Sequence, residues 1–278
     1  MRIENKITKK WPMIIHGNGP SKETQIWKKV MEVYDRGPKR QQNPNDKLTV
    51  LTWSVEGEEF LLKRVMEDMG CGEYLNTIYL DKDRNGSINW LDKITKTLEF
   101  IKLIDTPYVM GLDALDVIPS TDVDSVLWDD IVKCFEGYGA DIVYNAEKAN
   151  WPSTDGHGTI LSKPHPLINV LQEVELHDEK IYKDFLKSDW KHLNSGGWIG
   201  KTDVLIEFYT EVVELINSVK NSGKPNVKRM NEEIFFGGDQ GFIRLVASRW
   251  FPKVVLDYRC ELFQTLVYTE TEELGVWE

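Results

Sequence analysis

From Lys47 onward, short apolar runs alternate with segments whose apolar residues recur every three or four positions. The first run, LTVLTWSV at 48–55, is rich in β-branched residues and predicts a strand. It is followed by EEFLLKRVMEDMG at 58–70, which has the spacing of a helix and a terminal glycine, Gly70. Such alternation is typical of a parallel or mixed sheet covered by helices, so we predict an α/β fold.

The alternation continues to residue 257. Further strands are predicted at 77–80, 107–112, 140–147, 197–200 and 253–257. Further helices are predicted at 88–104, 125–139, 166–176, 202–220 and 239–248. The segment from about 150 to 192, which contains the 166–176 helix, is rich in His, Pro and Asp, and we interpret it as a substrate-facing insertion.

Ahead of this alternating core stands WPMIIHGNGPSKETQIWKKVMEVY, which predicts a short strand, a glycine-containing turn and a helix. The 278 residues are within the reach of one α/β domain. We therefore expect a single domain, 1–278, made of an N-terminal segment (1–34), a linker (35–46) and a core (47–278).

Composition adds constraints on location and partners. The chain is 41% hydrophobic and 28% charged, as in ordinary globular proteins, and its net charge of -11 opposes general attraction to nucleic acid or anionic lipid. It contains no apolar run of membrane-spanning length and does not start like a signal peptide, so we expect a soluble, cytoplasmic protein without membrane partners. The three cysteines are odd in number and far apart, which predicts reduced thiols. Nothing indicates an oligomeric state.

Two aspartates, Asp113 and Asp116, follow the predicted strand at 107–112. Ligands of open α/β sheets lie beyond the carboxyl ends of the strands, and oxygen ligands suit Mn²⁺ or Mg²⁺. The alternative is that one carboxylate caps a turn while the other is solvated.

The turn HGNGPSK adds an imidazole, His16, that can bind Mn²⁺, and a cation, Lys22, that suits a phosphate. A plain tight turn is the alternative there.

Two later motifs offer polar groups beside glycines. HLNSGGWIG contains Asn194, Gly196 and Gly197, and GGDQGF places Asp239 at a predicted helix start. An ordinary N-cap role would also explain Asp239.

The segment from Asp81 to Asp92 fits a calcium loop at most ligand positions, but a strand rather than a helix is predicted before it. The sequence has no GxSxG, P-loop or dinucleotide fingerprint.

Taken together, several phrases resemble a known family. Five segments occur in the order found in the glycosyltransferase domain of the multifunctional lysyl hydroxylases and related procollagen glycosyltransferases. They are MGLDALDVIP, VYNAEKANWP, LNSGGWIG, GGDQ and LDYRCELFQTL. The resemblance covers most of residues 48–266. HGNGPSK is also similar to a motif of that family, but there the motif lies near the domain's end, which suggests a circular permutation. Its spacing also resembles the HxxGxxK element of glycogenin-like retaining transferases.

The resemblance implies a GT-A-type fold with a mixed central sheet flanked by helices, a nucleotide diphosphate sugar donor, Mn²⁺ (or Mg²⁺) and retention of anomeric configuration. It implies roles for residues of three kinds. The metal ligands would be Asp113, Asp116 and His16; the catalytic residues Asp239, Asn194 and Lys22; and the donor-binding residues Thr52, Ser54, Gly17, Asn18, Gly19, Lys22, Trp151, Gly196 and Gly197. Between the two aspartates, where the family has an aromatic residue for uracil, this chain has Ala114 and Leu115.

The predicted function is therefore transfer of a hexose or pentose from a donor, expected to be a UDP-sugar, to an acceptor hydroxyl. The family resemblance points to a hydroxylysine acceptor, and the basic loops leave a hydroxymethylated DNA base as a second acceptor. A catalytically inactive sugar- or calcium-binding module of the same fold is the alternative.

Overall fold

The computed structural model describes residues 2–82, 88–120, 126–149, 188–221 and 238–277. The strands are β1 (Arg2–Asn5), β2 (Ile14–His16), β3 (Leu48–Ser54), β4 (Leu75–Tyr79), β5 (Tyr108–Asp113), β6 (Val117–Pro119), β7 (Ile142–Glu147), β8 (His192–Lys201), β9 (Val254–Leu256), β10 (Phe263–Thr265) and β11 (Leu274–Trp277). The helices are α1 (Gln25–Arg36), α2 (Leu61–Asp68), α3 (Trp90–Ile101), α4 (Leu127–Tyr138), α5 (Thr202–Asn221) and α6 (Asp239–Arg249).

The central feature is a six-stranded mixed sheet with the strand order β4-β3-β5-β8-β7-β9. β3 is parallel to both β4 and β5, whereas β8 is antiparallel to its neighbours β5 and β7. A register shift between Tyr144 and Asn145 interrupts the β7–β8 pairing. Such irregularities re-aim side chains, and this one lies at the end of β7 where polar residues follow.

Both faces of this sheet are covered, because alternate residues of its strands enter two different apolar clusters. Val50 and Met110 join the cluster that contains the apolar faces of α1, α2 and α4. Leu51 and Val109 join the cluster that contains α3, α5 and α6. The helices cover the two faces of the sheet and leave the polar ends of its strands uncovered.

The N-terminal segment completes two smaller sheets. β2 lies between β10, to which it is parallel, and β6, to which it is antiparallel. β1 pairs with β11 in antiparallel fashion, and Arg2 stands opposite Trp277. The two ends of the described chain therefore meet, and β2 lies next to β6, the strand that follows the predicted metal-binding aspartates.

The α/β prediction is confirmed, and its helices and strands lie close to the predicted ranges wherever the structure describes them. The strand predicted at 197–200 is wrong in extent, since β8 runs over His192–Lys201 and its first half was not predicted as a strand. The linker begins later than predicted, because α1 continues to Arg36. The short strands β1, β6, β10 and β11 were not predicted. The helix predicted at 166–176 lies outside the described residues.

The segment before the suggested calcium loop is the strand β4, and not the helix that an EF-hand requires. At the loop's described ends, Asp81 pairs with Lys96 and Asn89 caps α3 by accepting the backbone N–H of Leu91. Residues 83–87 lie outside the described part of the chain. The described residues therefore lack the first helix of an EF-hand, and calcium binding by the loop stays a prediction.

Two further expectations concern the whole chain. Cys71 and Cys260 are buried and Cys134 is partly buried, and all three are free thiols, as predicted. None of the described helices, including the 20-residue α5, combines the length and apolar character of a bilayer-spanning segment.

Candidate metal centre and donor cavity

Three side chains from separate parts of the chain converge beside the end of β5. His16 is the last residue of β2, Asp113 the last residue of β5, and Asp116 immediately precedes β6. One ligand atom from each lies within 4.8 Å of the others. The His16 Nε2 atom is 3.2 Å from Asp116 Oδ1 and 3.6 Å from Asp113 Oδ2. Two carboxylates and one imidazole in this arrangement could hold a divalent cation.

The group is electrostatically coupled. Burial acts to lower the pKa of His16, but Asp116 and Asp113 outweigh it and the net shift is upward. Burial acts to raise the pKa of Asp116, but His16 and Lys22 lower it to about 2. The site therefore favours an ionised carboxylate beside an imidazole with a raised pKa. A bound cation would replace the proton of that imidazole.

The other ring nitrogen of His16 faces Asn145, the residue at the β7 irregularity. The Asn145 Nδ2 atom lies 3.3 Å from His16 Nδ1 and 3.4 Å from Asn194 Oδ1. Asn145 is fully buried, and its Oδ1 atom has no hydrogen-bond partner among the described residues. If His16 Nε2 binds a cation, Nδ1 carries the proton and must donate it, so the Asn145 amide would have to turn its Oδ1 atom toward the ring, as acceptors beside metal-binding histidines do.

The turn after β2 brings a cation to the same centre. Lys22 Nζ lies 3.0 Å from Asp116 Oδ2, and its side chain is 41% exposed, so it remains accessible to a ligand. The backbone N–H of Gly17 donates to the Asp116 carbonyl, which ties the turn to the aspartate loop. A Cβ at Gly17 would overlap the ring of Trp27, so packing alone requires a glycine there. Gly19 has a φ of +57°, a conformation that glycine adopts without strain.

Lys93 was missed by the sequence analysis. It is 5% exposed, and its Nζ lies 2.8 Å from Asp113 Oδ1 and 3.3 Å from Asp239 Oδ2. Burial acts to lower its pKa, but Asp113 and Asp239 outweigh burial and raise it. Its ammonium also lies 4.1 Å from the centre of the Trp53 ring.

Lys93 joins the metal centre to the fourth sequence motif. Asp239, the first residue of α6, is 9% exposed and pairs with Lys93, which also pairs with Asp113. An ion-pair chain therefore runs from Asp113 through Lys93 to Asp239.

Asn18 and Asn194 are already engaged by the protein. Both donate their amide groups to Glu147 Oε2, at 2.6 and 3.3 Å, and Gln240 donates to Glu147 Oε1 at 2.9 Å. Burial raises the pKa of Glu147 to about 7, although these amides and nearby His16 oppose the shift. Glu147 was also missed by the sequence analysis, because a strand-terminal glutamate gives no signal of burial.

An open cavity of about 240 Å³ lies beside the metal centre. Its walls include Lys22, Trp53, Ser54, Trp90, Asp113 and Leu115. Trp90 is 50% exposed and Leu115 59% exposed, so both present apolar surface to a ligand. Of the two predicted nucleotide contacts on β3, Ser54 lines the cavity, whereas Thr52 is fully buried and donates its hydroxyl to the Leu112 carbonyl.

The paired glycines of β8 pack against different parts of this region. A Cβ at Gly196 would overlap the His16 ring and the Asp113 carboxylate, and a Cβ at Gly197 would lie 3.0 Å from the Phe263 ring. Gly196 therefore leaves room for the metal-binding side chains. Trp151, predicted to cover the donor, lies outside the described residues.

Comparison with known proteins adds no assignment. No protein-family model matches the sequence, and the search of curated proteins found no match.

Proposed function

We propose that this chain is a metal-dependent glycosyltransferase that moves a sugar from a nucleotide diphosphate donor, a UDP-sugar in the first instance, to an acceptor hydroxyl. The observation that carries the proposal is the convergence of His16 with Asp113 and Asp116, within 4.8 Å, at the edge of a cavity. A strand from the first twenty residues supplies the imidazole, and the family resemblance implies these same three ligands. The GT-A-type fold is part of the proposal, and a mixed sheet flanked by helices is compatible with it.

In the proposed reaction, the bond between the anomeric carbon and the donor phosphate oxygen breaks. A bond to the acceptor oxygen forms, and the acceptor's proton passes to the departing diphosphate. A Mn²⁺ or Mg²⁺ ion held by His16, Asp113 and Asp116 would neutralise charge on that diphosphate. The ammonium group of Lys22, which is exposed at the cavity wall, would also stabilise the negative charge on the diphosphate.

The remaining residues bind and orient. Lys93 holds Asp113 and Asp239 in fixed positions, so that one carboxylate faces the cation while the other faces the donor sugar. Ser54, Trp90 and Leu115 offer the cavity wall a hydroxyl and two apolar surfaces for a nucleoside. Retention of configuration, and hydroxylysine or a hydroxymethylated DNA base as acceptor, belong to the same proposal through the family resemblance.

The proposal is tested by assaying Mn²⁺-dependent hydrolysis and transfer across a panel of UDP-sugars, with NMR of the product's anomeric centre. We expect Asp113→Asn and His16→Ala to lower turnover about 100-fold or more, since each removes a partner of the developing charge. The matched control is Asp141→Asn, which removes the same charge from an exposed pair with Lys201 at the opposite end of β7.

Near-normal turnover in either site variant would reject the metal assignment. Mn²⁺-dependent binding of UDP without hydrolysis or transfer by the wild-type protein would instead identify a sugar-nucleotide binding module. An inverted product would remove retention from the proposal and leave the metal centre in place.

A further inference from the structure

Glu147, the last residue of β7, is a buried carboxylate that the metal centre does not use. It is 3% exposed and accepts hydrogen bonds from three amide side chains, those of Asn18, Asn194 and Gln240. These amides come from three distant parts of the sequence. A charged or polar group is rarely buried without a compensating network, and here the network reaches three motifs of the candidate site, those that contain His16, Gly196 and Asp239.

The orientation of each amide is set from its other end, because a backbone N–H occupies each amide oxygen. The pairs are Val267 N–H to Asn18 Oδ1 at 3.3 Å, Gly196 N–H to Asn194 Oδ1 at 3.0 Å, and Ser195 N–H to Gln240 Oε1 at 3.1 Å. A backbone N–H can only donate, so the oxygen of each amide must face it. The three NH₂ groups are consequently directed at Glu147.

Three converging donors specify the chemistry of the acceptor. A carboxylate accepts through both oxygens, whereas an amide or a protonated acid would turn one donor toward the three NH₂ groups. A buried donor left facing another donor loses its hydrogen bond without replacement by water. Only a carboxylate at position 147 therefore satisfies all three amides at once.

Each amide adjoins a group of the candidate site. Asn18 is two residues from His16, Asn194 is two residues from Gly196, and Gln240 follows Asp239. We propose that Glu147 is a positioning residue. Its carboxylate holds together the turn after β2, the centre of β8 and the start of α6. As a result, the His16 imidazole, Gly196 and Asp239 face the same sugar donor. The inference rests on the proposed function, since it assigns Glu147 a role in the same site.

The first test compares Glu147→Gln with wild type for Mn²⁺ affinity by calorimetry and for turnover of a UDP-sugar. We expect both to fall about 10-fold to 100-fold, the usual effect of losing a residue that orients the metal ligands without binding the metal itself. Glu211→Gln is the matched control, because Glu211 also accepts side-chain N–H groups, from Arg249 and Trp250, but outside the site. It should leave Mn²⁺ affinity and turnover unchanged.

A second variant separates positioning from general loss of stability. In the double change Glu147→Gln with Asn18→Asp, the donor and acceptor of the 2.6 Å pair are exchanged and the net charge is kept. The new carboxylate can still accept from Val267, and the new amide oxygen can still accept from Gln240, but the Asn194 NH₂ group is left facing the new NH₂ group. We therefore expect a partial recovery of turnover, at least about threefold relative to the single variant.

Glu147→Asp, which keeps the charge but shortens the reach, covers the case in which Glu147→Gln does not fold; it should fold and show the same two losses. Wild-type Mn²⁺ affinity and turnover in a folded single variant, or no recovery in the double variant, would overturn the inference. Failure of the proposed function is a distinct result, because wild-type protein would then show neither Mn²⁺-dependent UDP binding nor turnover.

Discussion

At the scale of single residues, Gly196 gives the most direct test of the metal centre's geometry. An added Cβ would overlap His16 Cε1 and lie 3.0 Å from the Asp113 carboxyl carbon. The side chain of Asp113 is 33% exposed and can shift, whereas that of His16 is 2% exposed, so the methyl group would displace the imidazole within the packed interior and lower stability. We predict that Gly196→Ala folds but binds Mn²⁺ at least about tenfold more weakly, measured by calorimetry.

The matched control for that change is Gly137→Ala. Gly137 lies in α4, and a Cβ there would meet nothing within 4 Å. Alanine in a helix is favoured over glycine by about 0.5–1 kcal/mol, so the control should be slightly more stable and bind Mn²⁺ normally. Equal Mn²⁺ affinity in both variants would show that the space at Gly196 is not needed for the cation.

The residues of the site were predictable to different degrees. Asp113 and Asp116 were singled out because they follow an apolar strand, and His16 because the turn after it resembles a motif of the glycosyltransferase family. Lys93 and Glu147 were not, since each becomes informative only when burial is known: a lysine in a helix and a glutamate ending a strand are ordinarily solvated. The hydrogen bonds that hold Asn18 and Asn194 were equally hidden, because their partner is over forty residues away.

At the scale of elements, the sheet's interior was easier to predict than its edges. β3, β5 and β7 are apolar enough on both faces to be recognised from composition. The strands β6 and β10 were not predicted, because three residues are too few for a periodic signal and both strands exist through their pairing with β2. β2 is equally short but was predicted, from the apolar run before the glycine-containing turn. The first half of β8 was missed because its polar residues are buried by contacts from other motifs.

The extension of β8 buries His192, the first residue of the strand. Burial, followed by the positive charges of Arg244 and Lys191, lowers the pKa of His192 to about 4 from the usual 6.5. The folded protein therefore binds fewer protons here than the unfolded chain. The stability contributed by His192 is present above pH 6.5 and is lost as the pH falls from 6.5 towards 4.

We predict that the free energy of unfolding of wild type falls by about 2 kcal/mol more than that of His192→Gln between pH 7.5 and 4.5. Urea denaturation at both pH values measures this difference, and the comparison cancels the carboxylates that titrate in both proteins. Identical decreases in the two proteins would mean that His192 is not held neutral by the fold.

At the scale of the whole molecule, the chain closes on itself. β1 and β11 pair so that Arg2 stands opposite Trp277, while β2 carries His16, the proposed metal ligand, into a sheet between β6 and β10. The N-terminal segment thus depends on the C-terminal strands for its position. This explains how a motif placed late in the resembling family could stand first here without moving in space.

The same arrangement predicts that the chain tolerates new termini. Joining the present ends through about six Gly and Ser residues should cost little, because β1 and β11 already hold them together. New ends between Asn43 and Pro44 would fall at exposed positions between α1 and β3. HGNGPSK would then lie near the carboxyl end, in the order of the resembling family.

We expect this permutant to fold, with Mn²⁺ affinity within about threefold of wild type, because a connection distant from the ligands leaves their geometry unchanged. Calorimetry with Mn²⁺ and thermal unfolding followed by circular dichroism measure the two properties. A control permutant opened between Gly19 and Pro20 keeps the same joined ends but separates His16 from Lys22 along the chain, and it should bind Mn²⁺ more weakly. A folded Asn43–Pro44 permutant without Mn²⁺ binding would show that continuity from α1 to β3, rather than the pairing of β2 with β6 and β10, positions His16.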